Sequence, residues 1–282
     1  MCDQTYVDND FALPLTAGLP ERGRRGRLLA IARNTFREAV RDRVLYNLVL
    51  FVLLLTAGSV FLGELSSDQE AKIIIDLGLS AMLLFGVFIA IFVGVGLVYK
   101  EIEKRTLYAI FAKPVGRGEF LVGKYLGLAL TLGVNVAVMG LGVSAALLFV
   151  KRGFDPMVWR VWPAIGLLYC ELLVLTAVAL LFSSFSTPAL SALLTFFAFI
   201  IGHFSADLKA FAATLGTAFG QAVCTGLYYA LPNLAHFSYI TPAAYGQTPG
   251  WRVFVASLLY ALIYSAFLLT GAVLLFSRRN FK

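Results

Sequence analysis

Charge is scarce in this sequence: Asp, Glu, Lys and Arg make up 14% of its 282 residues, against about 25% in soluble globular domains. Histidine occurs twice and cysteine three times, as Cys2, Cys170 and Cys224. So few thiols make no disulfide framework, and neither they nor the histidines have metal-ligand spacing. Residues 1–26 lack a long apolar core and carry Asp3, Asp8, Asp10 and Glu21, which excludes a cleaved signal peptide. What is abundant is apolar: 60% of the chain is hydrophobic, its 25 glycines not included, and mean hydropathy is +0.83. These values exclude a soluble enzyme, a disordered chain and a fibrous protein, and indicate a polytopic integral membrane protein.

A hydrocarbon core of about 30 Å needs roughly 20 apolar helical residues. Six segments meet or approach that length: 44–63, 77–99, 125–150, 162–182, 187–204 and 253–276. Only Ser183–Ser186 and Pro188 separate the fourth from the fifth, which predicts a tight helical hairpin with Pro188 in the first turn of the returning helix. Residues 205–250, interrupted by Gly216, Gly220, Gly226, Pro232 and Pro242, read as short helices that enter the membrane partway from outside. A seventh span around 219–231 is the alternative. Six spans place 17 of the 23 Lys and Arg residues on the N-terminal side, so the expected topology has both termini in the cytoplasm. Trp159, Trp162 and Trp251 fall at the outer helix ends, where amphipathic rings suit the headgroup level. The net charge of +7 is therefore a topology signal and not a nucleic-acid footprint.

The expected fold is all-α. Residues 1–26 form a cytoplasmic tail, 27–43 an interfacial amphipathic helix, and 44–282 a six-span transmembrane domain. In the second of these, Leu28, Leu29, Ala32, Phe36, Ala39 and Val40 share a face, while Arg33, Arg37 and Arg41 recur every four residues on the other. Such a helix lies along the inner surface, its arginines toward anionic headgroups and water. A polar extension of the first span is the alternative.

Residues 100–124 form the one sizeable cytoplasmic loop between spans. Residues 101–112 read as a helix with Leu107, Ile110 and Phe111 on a small apolar face, broken after Pro114 by Gly116 and Gly118. That face needs cover, either from the inner surface of the bundle or from a soluble partner. Gly118, Gly123 and Lys124 imitate a phosphate-binding loop, but Tyr125 stands where a Ser or Thr should ligate Mg²⁺, and no strand precedes the glycine. Nucleotide binding by this chain is excluded on that ground.

The loop residues Glu101, Ile102, Glu103, Lys104, Arg105, Thr106 and Leu107 carry a family resemblance. So do Lys113, Pro114, Val115 and Arg117, the run Gly123 to Gly127, the segment Leu231-Pro232-Asn233-Leu234 with Phe237, and the terminal Arg278 to Phe281. From about residue 27 onward the chain resembles permease subunits of type-2 ABC transporters, particularly the branch associated with copper-enzyme maturation. It departs in having Ser238 after Phe237, where the family often has Asn. The resemblance implies a permease of the cytoplasmic (inner) membrane that pairs with a second permease copy or a related permease. It implies a coupling helix that docks on a separate cytosolic ATPase, with Glu101, Glu103, Lys104, Arg105, Thr106, Leu107, Ile110, Phe111, Pro114 and Arg117 as coupling residues. It further implies that this chain binds no cofactor or metal, that ATP and Mg²⁺ sit on the partner, and that membrane lipids and no nucleic acid are its other contacts. Export is the expected direction.

Within the spans, Glu171 is the one deep acid, and an uncompensated acid there is costly. It is either a cargo or proton contact facing a dimer cavity, with Asn135 the other translocation candidate, or a structural acid bonded to a side chain such as Asn135. Asp76 belongs at the outer mouth, solvated. His203 and His236 fall outside, far apart in sequence and without a carboxylate or cysteine pattern, and so are poor evidence for a metal. The pairs Gly123/Gly127 and Gly216/Gly220 have the spacing of close helix contacts. Three other readings stand beside the permease: an ATPase-independent secondary transporter or channel, for which no inverted repeat is found; an intramembrane enzyme, which lacks a Ser/His pair, HExxH or paired aspartates; and a nonconducting scaffold for an ATPase.

Overall fold

Backbone polar groups have no partner in hydrocarbon except one another, so long apolar runs fold as helices. The computed structural model describes residues 24–39, 50, 51, 54, 58, 69–103, 116–151, 155–205 and 218–278, and among them there is no strand. The helices are α1 (Arg24–Ala39), α2 (Glu70–Phe88), α3 (Gly94–Glu103), α4 (Arg117–Lys151), α5 (Pro156–Ser183), α6 (Pro188–His203), α7 (Ala218–Ala230), α8 (Ile240–Ala244) and α9 (Trp251–Arg278). A π-helical turn, Ile89–Val93, joins α2 to α3 in one continuous rod, and a 3₁₀ turn, Leu234–Phe237, precedes α8.

Four stretches among the described residues are long and apolar enough to cross a membrane: Glu70–Leu97, Gly118–Lys151, Pro156–Ser183 and Trp251–Phe276. They match the expected second, third, fourth and sixth spans, but each begins before the apolar run does. Helical hydrogen bonding does not stop where hydrophobicity stops; α5 begins where Asp155 caps it, its carboxylate accepting from the Met157 N–H, and Pro156 follows at the first position. The expected fifth span is α6, whose 16 residues rise about 24 Å, short of the hydrocarbon thickness. The first span falls where only Leu50, Phe51, Leu54 and Gly58 are described; Phe51 is buried with its ring edge-on to Phe85. The described part of the alternative seventh span is α7, of 13 residues.

Close approaches at glycine fix the direction of each helix. Gly86 abuts Leu172, and a methyl group on Gly94 would lie 3.3 Å from Ala179, so the α2–α3 rod runs parallel to α5. Gly166 meets Phe254 and Gly271 meets Leu181, so α9 is parallel to α5 as well. Gly140 faces Ile165 while Gly133 faces Tyr169, so α4 runs the other way, as does α6 after the 184–187 hairpin. These five rods alternate in direction, with α5 at their centre. The exposed Trp159 and Trp251 lie near the starts of α5 and α9, at one shared end.

At the opposite end α1 packs along the start of α4. Methyl groups on Gly123 and Gly127 would strike Ile31 and Thr35, so the Gly123/Gly127 pair has its expected close contact, and its partner is α1. Ile31, Ala32 and Thr35 turn toward α4, whereas Leu29 is 71% exposed. The glycine notch selects that face, because only there can the two backbones approach. Gly118 does not break the chain: α4 is helical from Arg117, and Gly116 stands just before it.

Candidate functional site

In the middle of α5 the buried Glu171 faces the last residue of α6. Its Oε1 lies 3.4 Å from Nδ1 of His203, and neither atom has a well-formed hydrogen bond among the described residues. This corrects two expectations. His203 does have a carboxylate beside it, and Asn135 is not the acid's partner. The Asn135 Nδ2 donates instead to the Thr131 carbonyl at 2.8 Å, and its Oδ1 has no partner among the described residues. The pairing follows from the hairpin, which brings residues at similar distances before and after the 184–187 turn to the same depth.

Around this pair the Pro-Asn-Leu segment forms a plug. Leu234 and Phe237 are buried against Cys170, Val174 and Ala261, and the Pro232 carbonyl fills the space beside Gly202. Asn233 holds the plug at both ends of its residue: its Oδ1 accepts from the Ser205 hydroxyl at 2.6 Å, and its N–H donates to the Tyr260 hydroxyl at 2.9 Å. His236 is exposed, its ring edge-on to Tyr260. No group of three or more His, Cys, Asp or Glu that could hold a metal occurs among the described residues.

His203 also reaches the surface, at the rim of an apolar groove of about 560 Å³ between α2 and α6. Leu84, Phe88 and Phe92 form one wall and Leu193, Phe196 and Phe199 the other. The Phe88 and Phe92 rings stack across the π-helical turn with centroids 6.0 Å apart. Ser80 also lines a second, more polar recess, with Lys72, Asp76, Thr241 and Tyr245. Asp76 is exposed there, in keeping with its expected place at a mouth.

Of the coupling residues, Glu101 and Glu103 lie on the last turn of α3 and Arg117 on the first of α4. Lys104, Arg105, Thr106, Leu107, Ile110, Phe111 and Pro114 lie outside the described residues, as does Arg41. Arg33 and Arg37 are exposed on α1 and Phe36 is half-buried. Lys124, the lysine of the false phosphate loop, is 1% exposed inside α4 and pairs with Glu38 Oε2 of α1 at 3.5 Å. A helical backbone there has no loop N–H groups to cradle a phosphate.

A family model described as ABC-2 family transporter protein matches residues 29–281. A "Probable ABC transporter permease protein NosY" of Stutzerimonas stutzeri is 29% identical over 119 residues, or 41% of this chain and 43% of that protein. The protein of the same name from Pseudomonas aeruginosa is 28% identical over 119 residues, with the same coverage of both chains. The match thus spans less than half the length of these curated relatives.

Proposed function

Because this chain belongs to the ABC-2 family of transporter proteins, we propose that it is the membrane permease subunit of an ATP-driven exporter. It pairs with a second permease copy or a related permease and couples to a separate cytosolic ATPase, which holds the ATP and Mg²⁺. The permease itself makes and breaks no bonds. It offers two conformations, and the ATP cycle biases between them. Cargo meets the permease in the α2/α6 groove, rimmed by His203 with Glu171 behind it.

The observation that supports this reading most is the continuous rod from α2 through the π-helical turn to α3. Its first half forms a groove wall and its last turn carries Glu101 and Glu103 into the 104–115 loop. A displacement of that loop by a docked ATPase would be carried along a stiff element to the groove. The basic asymmetry of the sequence supports a cytoplasmic position for the loop and α1, with the arginines of α1 on anionic headgroups.

The test is docking. Apolar anchors dominate small interfaces, so Leu107→Ala and Phe111→Ala should each cost about 1–3 kcal/mol of ATPase binding. Glu103→Lys reverses a rim charge and should change chiefly assembly rate and its salt dependence. Co-purified ATPase and its transport-coupled hydrolysis are measured in the same preparations. Retention of both in the double alanine variant would remove the loop as the coupling element.

A further inference from the structure

The α2/α6 groove is polar at one end only. Its described lining carries two polar side chains, Ser80 on α2 and His203 on α6, and the rest are apolar. The two helices run in opposite directions, so Ser80 and His203 share an end. Phe92 and Ala189 lie about 18–21 Å from them along the same helices. At the polar end Nδ1 of His203 is buried and turned to Glu171, so the 28% exposure of this side chain falls on the edge bearing Nε2. Glu171 Oε1 is itself buried without a well-formed hydrogen bond. We propose that this end of the groove binds the head of a long-chain primary ammonium ion in exchange for a proton held by the Glu171–His203 pair. The proposal rests on the permease reading only in making the bound amine cargo; the binding itself does not depend on it.

The charges select a cation. With one proton the pair is neutral; with none it carries one negative charge, on a carboxylate that is 2% exposed. A carboxylate so dry gains more from a neighbouring cation than a solvated one does. In the proton-free pair the imidazole keeps its hydrogen on Nδ1, toward the acid, and Nε2 is an acceptor. The incoming ammonium donates an N–H to Nε2, the displaced proton leaves to water, and the complex is neutral. A fatty acid would instead bring a second carboxylate and need a second proton on the pair. A quaternary ammonium has the charge but no N–H, and leaves Nε2 unmatched. Along α2 the acid is again the nearer charge: Asp76 stands one turn before Ser80. Lys72 is a turn farther, its Nζ 3.7 Å from the centroid of the Tyr245 ring.

Exchange makes binding depend on pH, and the neighbours decide whose titration is read. Tyr169 and Cys170 on α5, Tyr260 and Tyr264 on α9 and Tyr239 before α8 are phenols and a thiol. Such groups ordinarily titrate above about pH 8. Asp76 and Lys72 stand beyond Ser80 on α2, and His236 is exposed on the plug. Of these residue types only histidine ordinarily titrates between about pH 5.5 and 7.5, which makes His236 the control.

The full chain in phosphatidylcholine nanodiscs is photolabelled with hexadecylamine carrying a diazirine on its chain. Cross-linked peptides should come from α2 and α6. Unlabelled hexadecylamine should compete about tenfold better than hexadecyltrimethylammonium or palmitate. Its apparent Kd should fall at least about fivefold from pH 5.5 to 7.5. Glu171→Gln should weaken binding about tenfold and flatten the pH dependence. His203→Gln should flatten it too, and His236→Gln should leave it in place. Leu193→Trp should block the groove, whereas Ile263→Trp, on the exposed face of α9, should change nothing. Should a variant misfold, the competition and pH series on the unaltered chain decide. Equal labelling of α9, equal competition by either analogue, or an affinity that is flat in pH or rises as pH falls would overturn the proposal. So would loss of the pH dependence in His236→Gln. None of these measurements involves the ATPase, so the coupling reading stands or falls separately on Leu107 and Phe111.

Discussion

His203 closes over Glu171: its Nδ1 lies 3.4 Å from Glu171 Oε1 and joins the end of α6 to the middle of α5. The acid is 2% exposed and the imidazole 28%, so the pair has a dry member and one that reaches the groove. His203→Ala removes the imidazole beside the buried Glu171 and should lower stability by about 1–3 kcal/mol. Glu171→Gln should retain assembly. In the double variant the losses should fall short of their sum by about 1 kcal/mol or more, as expected of groups in contact. Thermal unfolding of the four proteins in one detergent checks this. A Glu171→Gln protein that assembles but does not transport would assign the charge to cargo or proton handling.

The ion pair of Lys124 with Glu38 is asymmetric, 1% against 31% exposed. Removing the outer partner takes a neutralising carboxylate from a buried ammonium, whereas removing the inner one leaves a carboxylate that water can reach. Glu38→Ala should therefore destabilise more than Lys124→Met. The loss should approach the lower end of the ~3–5 kcal/mol typical of breaking a buried pair. Denaturant titrations of both variants would show the order, and a larger loss in Lys124→Met would contradict it.

Two glycines should respond in opposite ways to the same methyl group. At Gly127 it would stand 2.5 Å from Thr35 Cβ and 2.7 Å from the Ala32 carbonyl oxygen, and a backbone atom cannot rotate away. Gly127→Ala should push α1 off α4 at a cost of about 1–3 kcal/mol. At Gly96 nothing lies within 4 Å, so Gly96→Ala should stabilise by up to about 1 kcal/mol through helix propensity. Melting temperatures of the two variants decide it.

Both termini are expected in the cytoplasm. Single cysteines at Ser67, Gly153 and Ala210 in a cysteine-free background should react with an impermeant thiol reagent on intact cells, and cysteines at Gly116 and Asn280 should not. Labelling at position 280 would restore a seventh span.

Hydrophobic length made α2, α4, α5, α6 and α9 legible as helices, since it follows from the cost of placing backbone polar groups in hydrocarbon. Helix ends were less legible. Asp155 and Pro156 carry a start signal for α5, yet the apolar run begins only near Trp162. The Glu171–His203 contact was encoded too, in their similar distance from the Ser183–Ser186 turn; weighing each residue for its own chemistry hid a fact of register. The packing of α1 on α4 was not legible, because its deciding feature is the absence of side chains at Gly123 and Gly127 on another helix. Such complementarity has no signature within the α1 sequence. The α2/α6 groove was invisible for the same reason: Phe92 and Phe196 become one site only when two elements are placed side by side.

The π-helical turn at Ile89–Val93 makes azimuth a matter of length. One added residue in a turn swings everything after it about 100° around the helix axis relative to an unbroken α-helix. The bearing on which α3 leaves the bundle is therefore written in the number of residues between Phe88 and Gly94, and side-chain identity there matters much less. Substitutions in this turn should leave the bearing alone. Deleting any one of its five residues should anneal the turn to regular helix and carry the end of α3 to a different sector around the axis of α2.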